Sequence, residues 1–335
     1  MMNKKVVLVT RPEGSPKDAD FKIVEEELPA LEQDQVLLEV EHLSIDAFIR
    51  TMLDNEAGFH GGTDLGAPVI ALGIGKVLAS QSDNLNQGDV VFGPLGAQTH
   101  AVLPAPMLRK IESDELPARA YLGALGMTTG LTAYAGMFKV GEVTQGDTVV
   151  VSAAAGAVGS VACQLAKIAG ARVVGIAGGP AKVDYLINTI GCDAAIDYKA
   201  GDVAEQLRSA APDGVDVFFD NVGGELLDTV LDQLAVGARV VICGAISQYN
   251  DMDSLRGPKL YLRVAERNAS MRGFTVDHFA ADFADMEREL SGWLQEGKLK
   301  MPEHIENGID QFPKALAMLF NGGHMGKLLV APNLN

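Results

Sequence analysis

The sequence predicts an α/β protein in which a doubly wound parallel sheet is joined to a smaller, barrel-like β domain. Three observations carry that expectation. The first third of the chain alternates short apolar runs with Gly, Pro, Asn and Asp, the rhythm of an antiparallel barrel. From about Leu116 the composition shifts to Gly, Ala and Leu, and from Thr148 strand-length runs alternate with helix-length segments, as in βαβ units. The chain has 335 residues, and at roughly 100–200 residues per domain two domains are expected.

In order, the first domain draws on strands at 5–10, 21–27, 35–43, 69–78, 89–94 and 99–103, each closed by turn residues. The second draws on strands at 148–152, 172–177, 194–197, 215–220, 238–243 and 271–275. Helices are expected between them at 157–169, 181–190, 203–210 and 225–233, with a further one at 283–296. The tail, with a helix at 312–321 and a strand at 326–330, is too short to fold alone and is expected to return to the β domain. The expected boundaries are therefore 1–120 completed by 299–335, and 121–298 between them.

Composition removes several function classes. Lys and Arg number 27 against 44 Asp and Glu, a net charge of −17 with no basic block, which repels a nucleic-acid backbone. Cys163, Cys192 and Cys243 are odd in number and lack CxxC spacing, which fits a reducing, cytoplasmic setting without structural zinc. The uncharged stretch 148–166 is long enough to mimic a membrane span, but its Val-rich start and its glycines fit a strand, turn and helix better, so no membrane partner is expected.

The motif that carries chemistry follows the strand at 148–152. Ala153-Ala154-Ala155-Gly156-Ala157-Val158-Gly159 leads into a helix with Val161, Leu165 and Ile168 on one face. It is the dinucleotide fingerprint with Ala154 at the first glycine position. A pyrophosphate needs backbone N–H groups at a helix start with no side chain in the way; the competing reading is a plain small-residue turn. The second strand ends in Gly178-Gly179, where an NAD enzyme places an acid on the ribose diol, and Lys182 follows. The missing acid and the lysine point to NADP, although a lysine at a helix start is also commonly just solvated.

Metal and nucleophile chemistry find no support. His42, His60, His100, His278, His304 and His324 are scattered without ligand spacing, and no GxSxG elbow is present.

Along nearly its whole length the chain resembles the zinc-independent medium-chain dehydrogenase/reductases, in the branch of leukotriene B4 12-hydroxydehydrogenase, prostaglandin 13-reductases, double-bond reductases and curcumin reductases. Val9-Thr-Arg-Pro-Glu-Gly14, Leu43-Ser-Ile-Asp46, Leu122-Gly-Ala-Leu-Gly-Met127 and Gly130-Leu-Thr-Ala-Tyr134 carry the resemblance. So do the fingerprint, Phe219-Asp-Asn-Val-Gly-Gly224 and Cys243-Gly-Ala-Ile-Ser-Gln-Tyr-Asn250. Zinc-dependent relatives have Gly-His-Glu where this chain has Leu72-Gly-Ile-Gly75. The resemblance implies a GroES-like β domain and a Rossmann domain, with the active site in the cleft between them.

The resemblance also implies roles. Gly156, Ala157, Val158 and Gly159 would face the pyrophosphate of NADP(H), Lys182 and Tyr198 the adenosine 2′-phosphate, and Asn221 a phosphate or ribose. Cys243, Gly244, Ala245, Ile246, Ser247, Gln248 and Tyr249 would run along the nicotinamide half, with Phe274, Thr275 and Val276 closing over the ring and His324 at its end. The implied reaction is hydride transfer from NADPH to the β-carbon of an α,β-unsaturated ketone or aldehyde. With no metal, hydrogen-bond donors must meet the developing enolate. Tyr249 is the leading donor and Tyr261 the second, each with a structural role as the competing reading. Three departures bear on substrate: Phe48 where relatives often have tyrosine, Glu266 where many have tyrosine, and His324 for a common asparagine. A quinone oxidoreductase on the same scaffold and a non-catalytic NADP-binding protein remain alternatives. A homodimer is a family-level expectation.

Overall fold

The computed structural model describes residues 1–54, 62–112 and 115–334; His60 lies outside them. The chain runs β1 (Met2–Leu8), β2 (Phe21–Glu27), β3 (Gln35–Ser44), α1 (Phe48–Thr51), β4 (Gly73–Ser80), β5 (Val90–Gly93), β6 (His100–Pro104) and β7 (Arg109–Lys110). Next come α2 (Thr132–Tyr134), flanked by π-helical turns, then β8 (Thr148–Val151), α3 (Ala157–Ile168), β9 (Arg172–Ala177), α4 (Pro180–Tyr185) and β10 (Ala194–Asp197). They are followed by α5 (Val203–Ala210), β11 (Val215–Asp220), α6 (Gly224–Leu231), β12 (Leu234–Ile242), α7 (Leu262–Glu266) and β13 (Ser270–Gly273). The chain finishes with α8 (Phe283–Gln295), β14 (Glu303–Asn307), α9 (Phe312–Asn321) and β15 (Lys327–Ala331).

Two compact units result. The first comprises Met1–Leu122, Tyr249–Asp251 and Glu303–Asn335. In it, β1 pairs with β2, and a larger sheet has the order β14-β15-β3-β4-β5-β7 with β6 also on β3. Alternation dictates β3: Val36, Leu38 and Val40 are fully buried while the residues between them are not. These side chains meet Ile49 of α1, Phe312 and Leu316 of α9 and Val330 of β15 in one core. The tail thus joins this unit, with Leu329 opposite Ser44 and Val330 opposite Leu43.

Two buried cations order the polar interior of this unit. Lys327, 1% exposed, donates from Nζ to Asp46 Oδ1 at 2.7 Å, and Ser44 Oγ donates to the other carboxylate oxygen. The pair ties the start of β15 to the turn before α1. Arg50, 2% exposed, ion-pairs with Asp54 at 2.7 Å and donates to the carbonyls of Gly14 (3.0 Å), Pro12 (3.3 Å) and Asn250 (3.3 Å).

The second unit comprises Gly123–Gln248 and Met252–Pro302. Its sheet is parallel throughout, in the order β10-β9-β8-β11-β12-β13, which is the doubly wound Rossmann arrangement. A strand covered on both faces needs no alternation, and Val217, Phe218 and Phe219 of β11 are all fully buried. Val150, Val174, Ile176, Phe218, Leu231 and Val240 share the core.

β1 (Met2–Leu8) lies earlier than the expected 5–10 and β4 (Gly73–Ser80) later than 69–78. Two further differences from the sequence reading involve glycines. Residues 127–140, where periodicity predicts no element, are helical, because Gly130 and Gly136 mask the pattern while serving close packing. A Cβ on Gly130 would lie 1.7 Å from the Ala124 carbonyl oxygen, and one on Gly136 would strike the rings of Phe219 and Phe274. β12 begins at Leu234 rather than 238, since an irregularity opposite 215–217 and a left-handed Gly237 (φ 82°) let the strand continue. The stretch 148–166 is strand, turn and helix, and among the described residues no helix is long and apolar enough to cross a membrane.

Candidate functional site

At the carboxyl end of β8 the fingerprint turn is built from small side chains. Gly156 caps α3, and a Cβ on Gly159 would lie 2.3 Å from the Ala153 carbonyl oxygen and 2.8 Å from Ala154 Cα, so only glycine lets α3 approach. Ala153 itself is left-handed, with φ 47°. Ala154 is accepted at the first glycine position because Gly175 on β9 lacks a side chain: a Cβ there would stand 3.0 Å from that of Ala154. The turn is open at Gly156, where an added Cβ meets only the Ala153 oxygen, at 3.2 Å. This is a cradle of the shape a pyrophosphate needs.

The turn is fastened by Asp220, the fully buried last residue of β11. Its carboxylate accepts from Ser152 Oγ (2.9 Å), Val222 N (2.9 Å) and Gly223 N (3.1 Å). Burial raises its pKa above the ordinary value of 3.8, against the pull of those hydrogen bonds. Asn221 completes the fastening: its backbone N donates to Ser152 Oγ and its Nδ2 to the Ser152 carbonyl, both at 2.8 Å. Its amide is thus engaged in holding the turn.

The run Cys243–Gln248 lies along the same loop. Cys243 N and Gly244 N donate to the Asp220 carbonyl, Ile246 N to that of Asn221, and Ser247 N and Oγ to that of Val222. Gln248 N donates to the Ala245 carbonyl, and its side chain accepts from Arg256 N at 2.8 Å. Burial, with Asp220 close by, pushes the Cys243 thiol up to about 12, so it stays protonated at neutral pH. In the same unit Phe274 meets Phe279 edge-on, with centroids 6.2 Å apart, and exposed Thr275 precedes the short turn that begins at Val276.

At the ends of β9 and β10, the Tyr198 ring lies against the Gly178 backbone. A Cβ on Gly178 would be 2.7 Å from two ring carbons and 2.8 Å from the hydroxyl. Asp197 Oδ1 accepts from Gly179 N (2.7 Å) and Lys199 N (2.9 Å), bonds that hold its carboxyl below the ordinary range. Lys182 is half-buried; burial, then the charge of Lys199, lower its pKa. The Lys199 ammonium stands 5.8 Å from the Tyr198 ring centroid. Two cations and a phenol therefore gather beside a glycine pair, a setting that fits a phosphate dianion.

The other singled-out residues are placed differently. Tyr249 belongs to the first unit, where its neighbour Asn250 is held by Arg50 at its carbonyl and by Ser15 Oγ at its side chain. His324, 9% exposed, and Phe48, at the start of α1, are in that unit too. Tyr261 is 62% exposed at the start of α7, and Glu266 at its other end pairs with Arg263.

Residues 4–111 match the family described as the N-terminal domain of oxidoreductase, and residues 157–292 that described as zinc-binding dehydrogenase. Among the described residues no group of three or more His, Cys, Asp or Glu could hold a metal ion. A Bacillus subtilis protein called a putative NADP-dependent oxidoreductase is 40% identical over 98% of this chain and 97% of its own length. The NADPH-dependent curcumin reductase of Escherichia coli is 32% identical over 98% of this chain and 96% of its own. The chain belongs to the medium-chain dehydrogenase/reductases, in the zinc-independent branch named above. The crystal structure of CurA from Vibrio vulnificus in complex with NADPH shares its fold at a TM-score of 0.92, with 33% identity, covering 99% of this chain and 100% of that one.

For a medium-chain reductase, sequence reasoning missed Asp220, Ser152, Lys199 and Arg50. A charged residue ending the apolar run of β11 was the available signal for Asp220, and the Tyr-Lys pair at 198–199 that for Lys199. Nothing local marks Ser152, whose partners Asp220 and Asn221 lie far along the chain, and the Asp54 four residues after Arg50 does not disclose its bonds to Gly14, Pro12 and Asn250.

Proposed function

We propose that the protein is an NADPH-dependent, metal-free reductase of the carbon–carbon double bond of α,β-unsaturated ketones and aldehydes. The reading of the cofactor is supported by two lysines beside Gly178–Gly179, suited to a 2′-phosphate, and by the lack of an acid at the end of β9 where a ribose diol would be held. The enone class is supported by a relative that reduces curcumin, according to its name.

NADPH, when bound, supplies the hydride that adds to the substrate β-carbon. The chain's own residues do the rest. Gly156–Gly159 receive the pyrophosphate, Lys182 and Tyr198 the 2′-phosphate, and the Cys243–Gln248 run with Phe274–Val276 the nicotinamide half; Asn221 holds the turn that presents these groups. Tyr249 offers its hydroxyl to the enolate oxygen as a hydrogen-bond donor. His324 and Phe48 shape substrate choice.

NADPH oxidation followed at 340 nm with enones, enals, curcumin and quinones, with product masses, tests the reading. Saturated carbonyl products with NADPH preferred over NADH are expected. Tyr249→Phe then lowers kcat by about 10²-fold, the cost of one lost donor to a developing oxyanion; a larger loss from Tyr261→Phe would name Tyr261 instead. NADPH binding with no acceptor turned over would sink the reading.

The protein is further read as a cytoplasmic homodimer. The free thiols of Cys163, Cys192 and Cys243 support the compartment. The second copy is supported by β13, an edge strand with one neighbour, and by exposed Leu255, Tyr261 and Leu262 in the segment that precedes it. Light scattering should return twice the 35.3 kDa chain mass, and a monomer at micromolar concentration would reject it.

A further inference from the structure

We propose that Lys199 is a second cation of the adenosine-phosphate subsite and that it shares with Lys182 the selection of a dinucleotide carrying a 2′-phosphate. The inference rests on the NADPH reading above and adds to it a residue that the fingerprint does not contain.

The backbone leaves Lys199 little choice of place. Asp197, at the end of β10, accepts from the N–H of Gly179 and from that of Lys199, so the turns after β9 and β10 are pinned by one carboxylate oxygen. Tyr198, between them, packs on Gly178, where no side chain intervenes. The Lys199 stem folds back so that its ammonium faces the ring at 5.8 Å from the centroid, a distance at which cation and ring attract. From there its charge reaches Lys182 across the glycine pair. Among the described residues neither lysine carries an ion pair, and the nearby Asp197 oxygen is occupied by backbone N–H groups.

Two like charges held together by a pinned backbone are unfavourable in the absence of an anion. A phosphate monoester carries close to two negative charges at neutral pH and has oxygens enough for both cations and the phenol. A ribose diol offers no charge and gains nothing from Lys199. The residue therefore discriminates between the two dinucleotides rather than strengthening both, and its effect should weaken with salt because the group is exposed.

The test is equilibrium binding of NADPH, NADH, 2′,5′-ADP and 5′-AMP to the full-length protein, using wild type, Lys199→Met, Lys199→Arg and Lys182→Met. Methionine keeps an apolar stem on the Tyr198 ring and removes the charge. Lys199→Met should weaken NADPH and 2′,5′-ADP about tenfold and leave NADH and 5′-AMP within about twofold, the scale of one charged hydrogen-bonding partner. Arginine should restore affinity, and the salt dependence of NADPH binding should flatten in Lys199→Met and in Lys182→Met but not in Lys199→Arg. Equal weakening of all four ligands would assign Lys199 a purely structural part through Tyr198 and overturn the proposal, as would unchanged NADPH affinity. A wild type without preference for NADPH over NADH would instead defeat the cofactor reading itself.

Discussion

Replacing Lys327 with methionine lowers the stability of the first unit by about 3–5 kcal/mol, because it leaves the Asp46 carboxylate buried without its cation. The partners are 1% and 7% exposed and 2.7 Å apart, so water cannot take over the lost interaction. Removing both charges is the informative contrast. In Asp46→Asn/Lys327→Met the desolvation cost falls away along with the attraction, and the double variant should recover much of the loss. The protein's one tryptophan, Trp293, lies in the other unit, so unfolding should be followed by hydrogen exchange of the β15 and β3 amides. Equal destabilisation in single and double variants would show that the pair acts through packing alone.

The second large effect belongs to Asp220. With alanine there, the Ser152 hydroxyl and the N–H groups of Val222 and Gly223 lose their common acceptor, at about 1–3 kcal/mol for each donor left dry. The fingerprint turn hangs on this carboxylate, whereas Cys243 and Gly244 bond the Asp220 main-chain carbonyl, which alanine keeps. NADPH affinity should fall together with thermal stability through the turn. Asparagine keeps the size and an acceptor oxygen and separates charge from shape. Because the folded state raises the Asp220 pKa above 3.8, it binds the proton more readily than the unfolded chain. Stability from this group therefore falls as pH climbs from 3.8 to the raised folded value and stays at the lower level above it. Asp220→Asn removes that slope. A wild-type and an Asn variant with parallel stability–pH curves would show that Asp220 does not titrate across this range.

Much of this arrangement was legible in the sequence where its cause is local. The Gly156–Gly159 turn, the acid-free end of β9 and the alternation of β3 each follow from a few neighbouring residues. The parts that were not legible are those set over long separations. That Tyr249–Asp251 sit with the first unit depends on Arg50, 200 positions away. That Asn221 is spent on Ser152 depends on two strands lying side by side in the sheet, 69 positions apart. Residues 127–140 escaped because glycines chosen for close packing weaken the helical pattern. Lys199 escaped because a lysine after a strand looks solvated until the fold of Tyr198 on Gly178 is seen.

The pairing of β15 with β3 has a consequence for how the chain is made. Leu329 and Val330 close against Ser44 and Leu43, so residues from near the start of the chain must await partners synthesised close to its end. The second unit has all its residues once Pro302 has left the ribosome and can fold while the first is still incomplete. During that interval the inner end of β3 presents backbone N–H and C=O groups and apolar side chains that the finished protein covers. Such distant contacts form slowly. A chain cut short after Pro302 is therefore expected to retain every residue of the second unit and to leave β3 without its partner β15.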